Sequence, residues 1–145
     1  MIALIQRVTA ARVEVAADCV SRIDRGLLAL VAVERGDGHS QVARLAERLL
    51  GYRVFPDGDG KMNRSVVDVE GELLLVSQFT LAADTTRGLR PGFASAAAPE
   101  LAETLYGEVL QHLAAAHQPV ASGVFGADMQ VSLINDGPVT FLLET

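Results

Sequence analysis

The chain has 145 residues, half of them hydrophobic and 21% charged, with one cysteine and a formal net charge of -6. That length suits one domain burying roughly 68–70% of its unfolded surface, and the composition excludes disorder, a disulfide scaffold and a cysteine-built metal cage. The acidic balance also excludes a general nucleic-acid coat, whose affinity comes from neutralising phosphates, so any nucleic-acid partner has to be gripped locally.

In chain order, Ile2, Leu4 and Val8 alternate, and Val13 and Val15 continue after the short interruption Thr9-Ala10-Ala11, which reads as a hairpin of two strands. Arg7 and Arg12 break this N-terminal apolar stretch before a signal peptide can form, and no run approaches the ~20 residues needed to span a bilayer. A cytoplasmic protein with no membrane partner is expected, with Cys19 a packed thiol in a reducing cytosol. LLALVAV, following Gly26, is apolar throughout and predicts a central strand buried on both faces.

From His39 to Leu50 the period changes. Val42, Leu45, Ala46, Leu49 and Leu50 share one stripe of a helix closed by Gly51. YRVF is a short strand and PDGDG a turn; the latter lacks the third spaced ligand and the closing Glu of a calcium loop, and no metal site is expected. ELLLVSQFTL, Glu72 to Leu81, is a second apolar strand. AADTTRGLRPGF is a long polar loop of the kind that carries function. A second helix starts near Pro99, carries Leu101, Leu105, Val109 and Leu113 on one stripe, and stops ahead of Pro119. GVFGADMQVSLI leads into NDGPVTFLL. With no repeat or linker, residues 1–145 form a single α+β domain, its mostly antiparallel or mixed strands curled into a barrel-like sheet with two packed helices.

Standard catalytic motifs are missing: there is no Gly-x-Ser-x-Gly, His-Glu-x-x-His, phosphate loop or dinucleotide fingerprint. His39, His112 and His117 fit solvated or half-buried structural roles. Two features remain. SQFT, at the end of an apolar strand, is either a capped strand exit or a place where amides and small hydroxyls receive a polar ligand; in strand geometry Ser77 and Phe79 point one way, Gln78 and Thr80 the other. NDGPVT is either a hairpin with an edge-strand proline or main chain presented to something, since proline gives no N–H to a ladder.

Taken together, ALIQRV, GKMNRSV, GELLLVSQFTLAAD, RPGF and FGADMQVSLINDGPVTFLLE resemble the bacterial D-aminoacyl-tRNA deacylases over nearly the whole chain, with SQFTL and NDGPVT the most diagnostic segments. The resemblance implies a homodimeric editing hydrolase, without a cofactor, that cleaves the ester between a D-amino acid and the terminal adenosine of tRNA and also clears mischarged glycine. Ser77, Gln78, Phe79 and Thr80 would line the pocket for the aminoacylated acceptor end. Gly137 and Pro138 would carry a cis peptide into the other subunit's pocket, with Arg7 holding that insertion.

An activated ester with a neighbouring ribose hydroxyl needs no enzyme triad, so the protein would supply positioning and oxyanion stabilisation. The main-chain N–H groups around Gln78 and Phe79 are the expected donors, one such donor being worth ~100–1,000-fold. Rigid main chain placed where an L side chain must go would reject every L-residue alike, and would admit glycine. Thr80, with no base coupled to it in sequence, is assigned to lining rather than to nucleophilic attack. The sequence departs from the commoner family pattern at Gly92, where serine is frequent, and at Leu89. Lys61, Arg64, Arg87 and Arg90 are either phosphate contacts or simply solvated. The rival readings are a non-catalytic dimeric module, and a related deacylase group whose motif begins Pro-Gln, against which Ser77 argues.

Overall fold

A computed structural model describes residues 1–145. The elements are β1 (Ile2–Val15), β2 (Asp18–Ile23), β3 (Gly26–Ala32), α1 (His39–Gly51), β4 (Phe55–Pro56), β5 (Met62–Arg64), β6 (Glu72–Ser77), a 3-10 turn (Phe79–Ala82), α2 (Pro99–Ala116), β7 (Val120–Ser122) and β8 (Gln130–Glu144). The main sheet runs β2-β1-β3-β6-β7 with β8 on the other edge of β1. It is mixed: β1 is antiparallel to β2, β3 and β8, while β3–β6 and β6–β7 are parallel, as crossovers through α1 and α2 require. The sheet curls until β2 approaches β6 and β7, giving the expected barrel-like α+β domain.

The central apolar strand is β3, and its composition follows from two cores. Leu27, Ala29 and Val31, with Leu73 and Leu75 of β6, pack under the helices. The alternate residues Leu28, Leu74 and Val76 fill the inside of the curl with Val8 and Val13. A strand buried on both faces has no polar side to show in its sequence. Gly26 permits the close start of the β3–β6 pair, since a Cβ there would lie 1.9 Å from the Glu72 carbonyl oxygen.

Several local expectations are corrected. Thr9-Ala10-Ala11 does not break the first strand; β1 runs unbroken over 14 residues, and the hairpin turn is Ala16-Ala17, both at positive φ without the usual Asn or Gly. Cys19 is exposed on β2 rather than packed. On α2 the buried stripe is Ala102, Leu105, Tyr106, Val109 and Leu113, while Leu101 is exposed; strict four-residue spacing drifts round a 3.6-residue helix. Gly51 is the last helical residue, not a left-handed cap, and Tyr52 leaves in extended conformation. Of YRVF only Phe55 enters a strand, which continues into Pro56 and pairs with β5. In the PDGDG turn, Asp57 accepts hydrogen bonds from Asp59 N, Lys61 N and Asn63 Nδ2. His39 meets Glu108 and His117 the Gly71 carbonyl, both structural.

Candidate active site

Parallel β3 and β6 finish together, with Val31 opposite Ser77. One more ladder bond follows, from Gln78 N to Val31 O at 2.7 Å, after which Phe79–Ala82 tighten into the 3-10 turn. The alternation expected through SQFT therefore stops at Ser77. Gln78 and Thr80, expected on one face of a strand, instead meet across the turn, Gln78 Nε2 donating to Thr80 Oγ1 at 2.6 Å. The Gln78 N–H, expected as an oxyanion donor, is committed to the sheet. The N–H groups of Phe79 and Thr80 open the turn and have no acceptor within it, because the first N–H groups of any helix lack one.

Ser77, Gln78 and Phe79 line a cavity of about 490 Å³ with Val31–Val33, Ala97, Tyr106 and the segment Phe125–Ala127. Thr80 is exposed beside it rather than in its wall. The α2 side is fixed by Ala97 N donating to Val33 O at 3.1 Å. Tyr106, on the cavity floor, donates from its hydroxyl to Leu75 O at 3.0 Å in a buried bond, and Gly123 N donates to the same carbonyl at 2.8 Å. Burial pushes the Tyr106 hydroxyl far above its ordinary pKa, so it keeps the proton that it donates to Leu75 O. The lining contains no carboxylate, imidazole, amine or thiol. Such a wall can position a ligand and stabilise charge through main-chain N–H groups, but holds no side-chain base to activate a nucleophile.

Arg7, Gly137 and Pro138 lie elsewhere. Of the two readings of NDGPV, the hairpin is the one the structure excludes: the segment is a bulge inside one continuous strand. Between the pairs Gln6–Thr140 and Val8–Asn135, the four residues Asp136 to Val139 stand against the single residue Arg7. Asn135 pinches the base of this bulge, its Oδ1 accepting from Val139 N at 3.0 Å and its Nδ2 donating to Val139 O at 3.1 Å. Gly137 sits at φ +128°, and a Cβ there would stand 2.7 Å from Val139 Cγ2 and 3.1 Å from Arg7 Nη2, so only glycine fits. The Gly137–Pro138 peptide is cis.

Mostly buried, Arg7 donates from Nη1 to Val54 O at 2.6 Å. Its Nε lies 2.9 Å from Asp136 Oδ2, but the N–H is aimed off the oxygen, so this contact is Coulombic rather than a hydrogen bond. Arg7 is opposite Leu27, four residues before Val31 on β3 and so about 13 Å from the cavity along the strand. The structure thus brings together Ser77, Gln78 and Phe79 at one place, and Arg7, Gly137 and Pro138 at another.

A family model described as D-Tyr-tRNA(Tyr) deacylase matches residues 4–144. The chain belongs to this family. Family members are hydrolases, and relatives with the name D-aminoacyl-tRNA deacylase include one from Methylococcus capsulatus, 62% identical over 143 residues, covering 99% of this chain and 94% of the relative. Another, from Pseudomonas aeruginosa, is 60% identical over 145 residues and covers both chains completely. Among solved structures, the c-Myc DNA Unwinding Element Binding Protein superposes with a TM-score of 0.95 at 40% identity, covering 100% of this chain and 99% of its own. A probable eukaryotic D-amino acid tRNA deacylase shares the fold, with a TM-score of 0.82 at 17% identity over 98% of this chain and 97% of its own. No helix of this deacylase-family chain is long and apolar enough to cross a membrane.

Sequence reasoning left Tyr106 and the Phe125–Ala127 rim out of the site. Tyr106 is hidden in a helical stripe where an aromatic reads as core. The rim lies in FGADM, a segment whose resemblance was visible but whose role depends on where the loop before β8 packs.

Proposed function

We propose that this family member is a cytoplasmic D-aminoacyl-tRNA deacylase acting at the acceptor end of tRNA, on D-aminoacyl esters and on mischarged glycine. The observation that carries the reading is the family match across residues 4–144. The aminoacylated adenosine occupies the cavity at Ser77, Gln78 and Phe79. Water adds to the ester carbonyl carbon, with the neighbouring ribose hydroxyl helping to organise it. The tetrahedral oxyanion is met by the Phe79 and Thr80 N–H groups, the C–O bond to the ribose breaks, and a proton passes to the departing ribose oxygen. The products are free amino acid and tRNA. A cavity without a side-chain base suits a substrate that is already activated. Thr80 orients Gln78 through their shared hydrogen bond and forms no covalent intermediate.

Chirality is read by Gly137 and Pro138 of the other subunit of a homodimer, whose main-chain atoms occupy the space an L side chain needs. Three features support this: the bulge is exposed, it is braced from behind by Arg7 and Asn135, and it is remote from the cavity of its own chain. Lys61, Arg64, Arg87 and Arg90 are exposed cations available to acceptor-end phosphates. Incubation with D-tyrosyl-tRNA, glycyl-tRNA and L-tyrosyl-tRNA tests the reading, with hydrolysis of the first two and not the third expected. A protein that hydrolyses none of them is a binding module.

A further inference from the structure

Beside the cavity mouth the molecule exposes two aromatic rings that the chemistry above does not need in that position. Phe79 both lines the cavity and remains 58% exposed, and Phe93 is 40% exposed. Their centroids are 5.1 Å apart with planes tilted by 53°. Both rings stand on a braced base. Asp84 and Gly92 exchange main-chain bonds of 2.7 and 2.9 Å, closing the arm between them, and Ser95 Oγ donates to Ala82 O at 2.7 Å. The Asp84 carboxylate is occupied by the N–H and hydroxyl of Thr86. The closure at Gly92 uses main chain only. At the tip, Arg87 and Arg90 make no ion pair, and Leu89 is fully exposed. From Gln78 to Pro99 these two arginines face a single acid, Asp84, in a chain whose net charge is -6.

A cavity of about 490 Å³ holds one drug-sized molecule. An aminoacylated nucleoside fills it, and the RNA attached to that nucleoside has to leave across the rim. Unpaired RNA is held by aromatic faces that stack on bases and by cations that follow the phosphates. We infer that the Phe79–Phe93 pair is the stacking subsite for the nucleotide immediately 5′ of the terminal adenosine, with Arg87 and Arg90 on the phosphates that flank it. This rests on the proposed deacylase reading. Because every base has a stacking face, the subsite contributes affinity without sequence preference.

The test compares wild type, Phe93→Leu and the double variant Arg87→Ala/Arg90→Ala on D-tyrosyl-tRNA and on D-tyrosyl-adenosine, which lacks the preceding nucleotide. Phe93→Leu is expected to lower kcat/KM on the tRNA about tenfold, mainly through KM, and to leave the adenosine ester within about twofold. The double variant is expected to raise KM for the tRNA alone and to flatten its salt dependence. A short RNA ending in adenosine, with 2-aminopurine just 5′ of it, should be quenched by wild type and not by Phe93→Leu. Equal losses on both substrates, no loss on the tRNA, or quenching retained in Phe93→Leu overturns the inference. So does a Phe93→Leu protein whose only change is a weakened dimer in sedimentation, which would place the partner subunit on the rings. Failure of the deacylase reading is distinct: wild type would hydrolyse neither D-substrate, while the quenching still reports whether the rings stack on RNA.

Discussion

Replacing Arg7 with methionine removes the brace behind the Gly137-Pro138 bulge while keeping an unbranched apolar stem in the same space. Two contacts are lost. The hydrogen bond from Nη1 to Val54 O, at 2.6 Å, is charge-assisted and worth about 1.5–3 kcal/mol. The Coulombic contact to Asp136 adds at most about 1 kcal/mol, because that carboxylate is 40% exposed and water screens it. Arg7→Met should therefore cost about 1.5–4 kcal/mol in urea unfolding, with the stem's packing holding the loss toward the lower end. It should also act selectively on chirality. With Arg7 Nη2 gone from behind Gly137, the bulge no longer holds one position, so hydrolysis of L-tyrosyl-tRNA should rise relative to D-tyrosyl-tRNA in single-turnover assays. A stability loss below about 1 kcal/mol, or an unchanged D/L ratio in a protein that stays folded and dimeric, refutes the bracing argument.

Thr80→Ala should keep deacylation within about threefold of wild type, since the hydroxyl only accepts from Gln78; near-complete loss in single turnover would restore Thr80 as a nucleophile. Tyr106→Phe should cost about 1 kcal/mol of stability, because Leu75 O keeps its second donor, Gly123 N, and the ring stays packed. Gly26→Ala should cost about 3 kcal/mol or more, since a Cβ 1.9 Å from the Glu72 oxygen has to push β3 and β6 apart; a soluble variant with wild-type melting temperature contradicts the register. For pH, hydrogen bonds hold Asp57 (from Asn63 and Lys61), Asp68 (from Ser65) and Asp84 (from Thr86) below the ordinary value of 3.8. A depressed folded-state pKa gives stability that is complete above the unfolded value and fades as pH falls through the folded one. Melting temperature should therefore decline below about pH 4, and Asp57→Asn should shallow that decline.

The sequence by itself determined the single α+β domain, both helices, the doubly buried central strand and the family, because each rests on local periodicity or on a run of residues long enough to be distinctive. It also marked SQFT and NDGPVT, since a polar end to an apolar strand and a proline within one are visible without coordinates. The tertiary structure alone decided what those segments are. NDGPV left a hairpin open because Asp-Gly next to alternating apolar residues is the usual mark of one; only pairing of both halves with the same strand, β1, makes it a bulge. Likewise, Gln78 lost its expected donor role when its N–H met Val31 O, a partner 47 residues away. Tyr106 entered the site because α2 packs over the end of β6, and Phe93 met Phe79 because Asp84 and Gly92 close the arm between them. Local chemistry fixes which residues are unusual, whereas main-chain partners are shared across distant segments and are assigned only when the sheet assembles.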